Sequence, residues 1–201
     1  MRPDRIVRPI SRAQASPKLA ATLADAFQDD PALLWIVPDP LRRKKMLPGF
    51  FAVMVEQSFR HGEVLASEDY CAVSLWYPPG KVKDGPLISL WDNLRMLPLF
   101  KGALGRALSV SDAMYARHPR PQPHSYLRYV GVAPEAQGKG WGGALVRAGV
   151  SRAHEKGLGV LLETATPSNV AIYSRLGFAV DEEWTVPDGG PQFWTMSRAR
   201  D

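Results

Sequence analysis

The chain has 201 residues, 45% of them hydrophobic and 22% charged, with a net charge of +5, which is ordinary for one well-packed globular domain and too apolar for a disordered chain. Its single cysteine, Cys71, excludes an internal disulfide and fits a reducing compartment. No apolar run approaches the ~18 residues of a membrane span, and the basic start, Met1 to Arg5, lacks the apolar core of a signal peptide, so a cytoplasmic protein with no membrane partner is expected.

In chain order, residues 6–10 suit a short first strand. Ser16-Pro17 makes an N-cap and first-turn pair ahead of Leu19, Leu23, Ala26 and Phe27, which recur at helical spacing. Asp29-Asp30-Pro31 ends that helix, because proline pushes its predecessor out of the α region. Asp39-Pro40 opens a second helix with an amphipathic stripe of Leu47, Phe50, Phe51, Met54, Val55 and Ser58, and a kink or restart is expected at Pro48. The basic run Arg42-Arg43-Lys44-Lys45 raises the question of nucleic acid. No aromatic stacking platform interrupts it, so it reads as a solvated helix face and no nucleic-acid partner is expected. His61-Gly62 closes the helix. Two short strands follow at 63–67 and 72–77, and Pro78-Pro79-Gly80 stops the second. Residues 86–118 read as a helical insertion broken around Pro98 and Gly102, followed by a proline-rich connector.

A strand at 125–132 then enters a Pro-containing turn and a glycine cluster, Gly138-Lys139-Gly140-Trp141-Gly142-Gly143, which opens a helix at 141–156. Glycines there let the backbone approach a ligand closely. The helix start offers free N–H groups and the positive end of its dipole, so the spot suits a phosphate, to which Lys139 adds charge. A Walker loop is disfavoured: six residues, not four, separate Gly131 from Gly138-Lys139, and Gly140 follows the lysine. Gly138 to Gly143 fits G-x-G-x-x-G literally, with Glu163 where a ribose-binding acid belongs. The strand stops too early for that tight turn, however, and too little chain follows Glu163 for further βαβ units. Residues 160–164 read as a buried strand, and Thr166-Pro167 starts a short helix ending at Gly177. Residues 178–186 and 192–198 flank the hairpin signal Pro187-Asp188-Gly189-Gly190. This order favours a mixed, mostly antiparallel α/β sheet with helices on both faces.

The longer pattern narrows the cofactor. Gln137-x-x-Gly140-x-Gly142 follows Tyr129-Val130-Gly131-Val132-Ala133-Pro134. Downstream come Leu161-Leu162-Glu163-Thr164 and Asn169-x-x-x-Tyr173-x-x-Leu176-Gly177-Phe178. Over about 50 residues this resembles the GNAT superfamily of acyl-CoA-dependent N-acyltransferases. Ala72-Val73-Ser74-Leu75-Trp76 and the C-terminal Val186 to Arg198 are similar, more narrowly, to the puromycin N-acetyltransferase branch. The resemblance implies one acetyltransferase domain over 1–201, with 1–123 mainly the acceptor side and 124–201 the acetyl-CoA side. It implies pyrophosphate on the N–H groups of Gly138, Lys139, Gly140, Trp141, Gly142 and Gly143, with Gln137 bracing the loop. The pantetheine arm would lie along Val130, Gly131 and Val132, with Asn169 and Tyr173 on one face of the later helix.

Tyr173 would lie by the thioester sulfur. A phenol, with an ordinary pKa of ~10, is protonated at pH 7 and can give its proton to the departing thiolate, so Tyr173 is the expected general acid. Asn169 either binds the cofactor or caps its helix. An amine is itself protonated at pH 7 and needs a base; Glu163 ranks first, though a structural role for it is equally open, and His124 is a further candidate. Asp29 and Asp30 fall where the family forms its acceptor pocket, and either hold an ammonium group or cap a helix. Trp35, Trp76, Tyr115 and Tyr126 are candidates for an aromatic pocket wall. The expected acceptor is the primary amine of a small amino-acid-like or antibiotic-like molecule; a protein acceptor and a non-catalytic acyl-CoA sensor are the alternatives. The histidines and Cys71 have no metal-ligand spacing, so no metal is expected, and monomer and homodimer both stay open.

Overall fold

A computed structural model describes residues 5–81, 95–118 and 122–200. In chain order its elements are β1 (Val7–Pro9), α1 (Pro17–Ala26), α2 (Pro31–Ile36), α3 (Pro40–His61), β2 (Glu63–Ser67), β3 (Ala72–Tyr77) and α4 (Leu104–Tyr115). Then come β4 (His124–Val132), α5 (Trp141–Glu155), β5 (Gly159–Thr164), α6 (Pro167–Arg175), β6 (Ala179–Thr185) and β7 (Gln192–Arg198). The strands form one sheet in the order β1-β2-β3-β4-β5-β7-β6, antiparallel throughout except for the β4–β5 pair. This is the mixed, mostly antiparallel α/β sheet that the sequence order favours.

Side-chain alternation along the strands builds two cores, one on each face. On one face α1, α2, α3 and α4 bury Leu19, Leu33, Phe51, Met54 and Val110. On the other, α5 and α6 bury Leu145, Val150 and Tyr173 against Leu162 and Met196 of the sheet. Among the described residues no helix is long and apolar enough to cross a membrane.

The feature that positions the site is a fork. β4 pairs with β3 as far as Val132, but Leu75 faces Tyr129 and Trp76 faces Leu127, so Arg128 is the extra residue of a bulge. β4 pairs with β5 only from His124 to Leu127, while Glu163 and Thr164 of β5 continue against β7. A bulge bends its strand and sharpens the local twist, and here the two parallel strands part beyond it. The N–H of Ala133 donates to the Cys71 carbonyl on the β3 side. Alternation therefore turns the backbone groups of Val130 and Val132 toward the open side of the fork.

Several local expectations need correction. The first helix does end ahead of Asp29-Asp30-Pro31, at Ala26, but a helix not expected there follows: Asp30 accepts hydrogen bonds from Ala32 and Leu33 and starts the short α2, with proline at its first position. Helix α3 runs through Pro48 without a restart. Burying Leu47, Phe50, Phe51 and Met54 contributes ~1.5–3 kcal/mol each, which outweighs the ~3 kcal/mol that an internal proline costs. The basic run is not uniformly solvated, because Arg43 is buried and donates to the carbonyls of Gln28, Val37 and Pro38. It ties the loop before α2 to the one after it. Of the insertion expected at 86–118, a turn near Pro98 and the helix α4 are seen, and residues 86–94 lie outside the described residues.

Candidate active site

The glycine loop sits at the start of α5, on the open side of the fork. Gly138 (φ +71°) and Gly140 (φ +87°) both adopt left-handed torsions, which L-residues with a side chain rarely tolerate. Gly140 is the N-cap of α5 and brings no side chain, so the first N–H groups of the helix have no side-chain acceptor. A Cβ on Gly138 would meet nothing within 4 Å, which leaves the loop open toward solvent. The Gln137 amide donates to the Val132 carbonyl (3.1 Å) and closes the turn behind the loop. Lys139 folds onto its own loop, its Nζ donating to the Glu135 carbonyl (2.8 Å). Trp141 is half-buried, with the Arg5 guanidinium 5.8 Å from its ring centre. An open backbone cradle with a positive helix end and no competing side chain fits a phosphate. Together with the strand edge at Val130 and Val132, it fits the long polar arm of a coenzyme.

Gly131 has a different reason. A Cβ there would stand 2.9 Å from the Ala26 Cβ and 3.0 Å from a Leu23 methyl, so the missing side chain lets α1 pack closely on β4. Its side-chain position faces α1, on the face away from α5.

On the α5 face, α6 presents Asn169 and Tyr173. The Asn169 amide nitrogen donates to Thr164 Oγ1 (3.4 Å), which also accepts the Thr166 N–H, so this side chain ties α6 to the end of β5. Tyr173 is 7% exposed and packs against Phe178, with ring centres 5.9 Å apart. Burial pushes its phenol well above the usual value, and its hydroxyl makes no hydrogen bond among the described residues. It is a protonated hydroxyl on an otherwise packed ring.

On the opposite face, near Tyr115 at the end of α4, lies a buried polar group. The Glu163 side chain has no exposed surface, and its Oε1 is 3.3 Å from Nε2 of His118, whose side chain is 3% exposed. The contact is out of line for a hydrogen bond, and both carboxylate oxygens and both ring nitrogens lack one among the described residues. The His118 ring meets Tyr126 edge-on, with centroids at 4.5 Å, and tilts toward Tyr115 at 6.0 Å. Burial, and then the Glu163 charge, push the Tyr126 phenol far up, so it too stays protonated. Arg128, the bulge residue, holds its guanidinium 5.5 Å from the Tyr77 ring centre and 5.7 Å from that of Tyr129.

The remaining acceptor-side candidates scatter. Asp29 is exposed. Asp30 is occupied as the cap of α2, and burial raises its carboxyl against the lowering effect of the Leu33 and Ala32 N–H groups. Trp35 is half-buried, with Arg106 5.9 Å from its ring centre. Trp76 is 3% exposed and donates to Ser74; a Cβ on Gly149 of α5 would fall 2.0 Å from its ring. Trp76 therefore fills the core under α5 and is corrected from pocket wall to packing residue. Tyr115 and Tyr126 do come together, over Tyr77 and Leu161. His118 and Arg128 were not legible as site residues: 45 positions separate His118 from Glu163, and no spacing rule links them.

A cleft of about 530 Å³ opens elsewhere, lined by Arg147, Arg175, Arg198 and Arg200. No residue of the fork lines it, so it is not the acceptor site. Arg147 connects it to the loop: its guanidinium lies 3.1 Å from where a Cβ on Gly143 would sit. Among the described residues, no group of three or more His, Cys, Asp or Glu could hold a metal ion.

Residues 108–178 match the model of the acetyltransferase (GNAT) family. An uncharacterized N-acetyltransferase of Schizosaccharomyces pombe is 30% identical over 175 residues, covering 82% of this chain and 71% of that protein. Among solved structures, one described as histone acetyltransferase HPA2 and related acetyltransferase, from Corynebacterium glutamicum, superposes with a TM-score of 0.72 at 25% identity, over 97% of this chain and 96% of that one. Arylalkylamine N-acetyltransferase 2 of Aedes aegypti has a TM-score of 0.57 at 14% identity, over 97% and 99% of the two chains, and shares the fold.

Proposed function

The chain belongs to the GNAT family of N-acetyltransferases, and we propose that it transfers an acetyl group from acetyl-CoA to the primary amine of a small, amino-acid-like or antibiotic-like molecule. The fork of β4 and β5 beside the uncapped start of α5 is the observation that carries this reading. The family uses acetyl-CoA. The free N–H groups from Gly138 to Gly143 would hold its pyrophosphate, and the backbone of Val130 and Val132 its amide-bearing arm. The arginine cleft, joined to the loop through Arg147, offers basic surface for the remaining phosphate. Bound there, the coenzyme supplies an acetyl group activated as a thioester.

The chain's own residues do the rest. Tyr173 holds a proton on an unbonded hydroxyl and serves as the general acid toward the departing sulfur. Glu163 is the buried carboxylate on the opposite face, and removal of the amine's proton depends on it. Tyr115 and Tyr126 give the acceptor side an aromatic wall that keeps water out. Asn169 steadies α6 and, with its Oδ1 unbonded among the described residues, is offered to the coenzyme. One continuous sheet with strands from both sequence halves supports treating 1–201 as a single acetyltransferase domain.

A wholly enclosed carboxylate, with Tyr115 from the end of α4 packed beside Tyr126, suits a small amine better than an extended peptide. The resemblance to the puromycin N-acetyltransferase branch points the same way. A competition assay decides it: small primary amines and peptides with free N-termini share one reaction with acetyl-CoA, and acetylated products are counted by mass spectrometry. At least tenfold higher kcat/KM for a small amine is expected. Preferential acetylation of peptides would give the acceptor role to protein substrates instead.

A further inference from the structure

We infer that His118, held in register by Glu163, is the group that takes the proton from the acceptor amine. Glu163 then acts as its positioning residue rather than as the base itself. The inference rests on the N-acetyltransferase reading and deepens it. Three observations support it. First, the two side chains meet at 3.3 Å, both sealed from solvent, one from the segment after α4 and the other from β5 beside the fork. Second, all four of their polar atoms lack an aligned hydrogen bond. Buried polar groups are rarely left unsatisfied, and catalytic hydrogen bonds in ligand-free structures are often long or misaligned, tightening when substrate binds. Third, the groups facing the pair form a consistent electrostatic setting. Tyr115 from α4 and Tyr126 from β4 present rings, and Tyr126 stays protonated. His124 of β4 lies 6.5 Å from His118 between ring centres. Arg128 is the charged neighbour on the same face of β4, above the Tyr77 ring of β3.

The chemistry selects between the two partners. An imidazole has two ring nitrogens, so it can face Glu163 with one and take a proton on the other, whereas a carboxylate buried against the ring has no second face to offer the amine. With Nε2 turned to Glu163, Nδ1 is the nitrogen left to accept. One N–H bond of the ammonium group breaks, its electron pair stays on the amine nitrogen for attack, and an N–H bond forms on the ring. The adjacent Glu163 carboxylate offsets the new charge, as carboxylates do beside catalytic histidines.

Two measurements test this. In the first, His118→Gln is assayed with the best amine found for the parent. kcat/KM at pH 7 should fall by about 100-fold or more and climb steadily as pH rises, because free amine must then form without help. The acetyl-CoA Kd should change by less than about twofold. In the second, the ring nitrogens of His118 are observed by 15N NMR in the folded parent and in Glu163→Leu, with no cofactor or amine present. The parent should hold one neutral tautomer, protonated on Nε2, and Glu163→Leu should lose that preference. A parent active on amines whose His118→Gln variant stays within threefold, with the same pH profile, overturns the inference. So does an Nε2 without a proton in the parent, and that result stands even if His118→Gln fails to fold. A parent that acetylates no amine would instead overturn the underlying functional reading.

Discussion

Burial raises the Tyr173 phenol above its usual ~10, so at neutral pH the hydroxyl is wholly protonated and stands ready as a donor. Replacing it with phenylalanine keeps the ring packed on Phe178 and removes only the proton. We expect Tyr173→Phe to lower kcat by ~10²- to 10⁴-fold while the acetyl-CoA Kd, measured by calorimetry, moves by less than about threefold. A folded variant with kcat within threefold of the parent would make Tyr173 a core aromatic and nothing more. Equal losses in binding and rate would mean that the hydroxyl positions the thioester before reaction. The same logic sorts the other aromatics. Trp76 looked like a pocket residue because strand sequences do not reveal which face a tryptophan takes. Its ring is spent on filling the space over Gly149, which no glycine pattern signalled.

At the scale of elements, the strand–loop–helix unit from β4 to α5 is the part on which cofactor affinity should depend. A Cβ on Gly142 would make only an ordinary contact with a Val132 methyl, at 3.8 Å, so Gly142→Val should fold. Its side chain would still crowd the N–H groups at the start of α5, and we expect the acetyl-CoA Kd to rise at least tenfold with Tm nearly unchanged. Unaltered affinity would move the phosphate elsewhere. This unit was legible because its signals are local: a β-run, a turn, glycines at left-handed positions, then a helical period. The cap at Ser16, the hairpin of β6 and β7 and the end of α5 near Gly157 were legible for the same reason. What escaped were features set by distant packing. Helix α2 depends on one aspartate capping six residues whose apolar pattern is too short to read. The uninterrupted α3 depends on a core that outweighs Pro48. The pairing of His118 with Glu163 depends on the segment after α4 meeting β5, which no spacing in the chain encodes.

For the whole molecule, three buried phenols, Tyr126, Tyr129 and Tyr173, are all raised by burial. Unfolded tyrosines ionise at ~10, so above that pH the unfolded chain holds fewer protons than the native one. Their contribution to stability is complete below ~10 and is lost as pH rises from there through the raised native values. Once the unfolded tyrosines are ionised, the slope approaches about 4 kcal/mol per pH unit for the three together. Urea midpoints measured across this range should fall steeply, and Tyr173→Phe should remove about a third of the slope; a flat profile would contradict the burial of these rings. Acetyl transfer to a primary amine across the fork can be measured in a single experiment. The protein is mixed with acetyl-CoA and a panel of small primary amines, and free CoA thiol and N-acetyl product are measured in the same samples. Enzyme-dependent release of one thiol per amine acetylated is expected for at least one member of the panel. Acetyl-CoA that binds but yields neither product with any amine would contradict it and leave a protein that senses the coenzyme without using it.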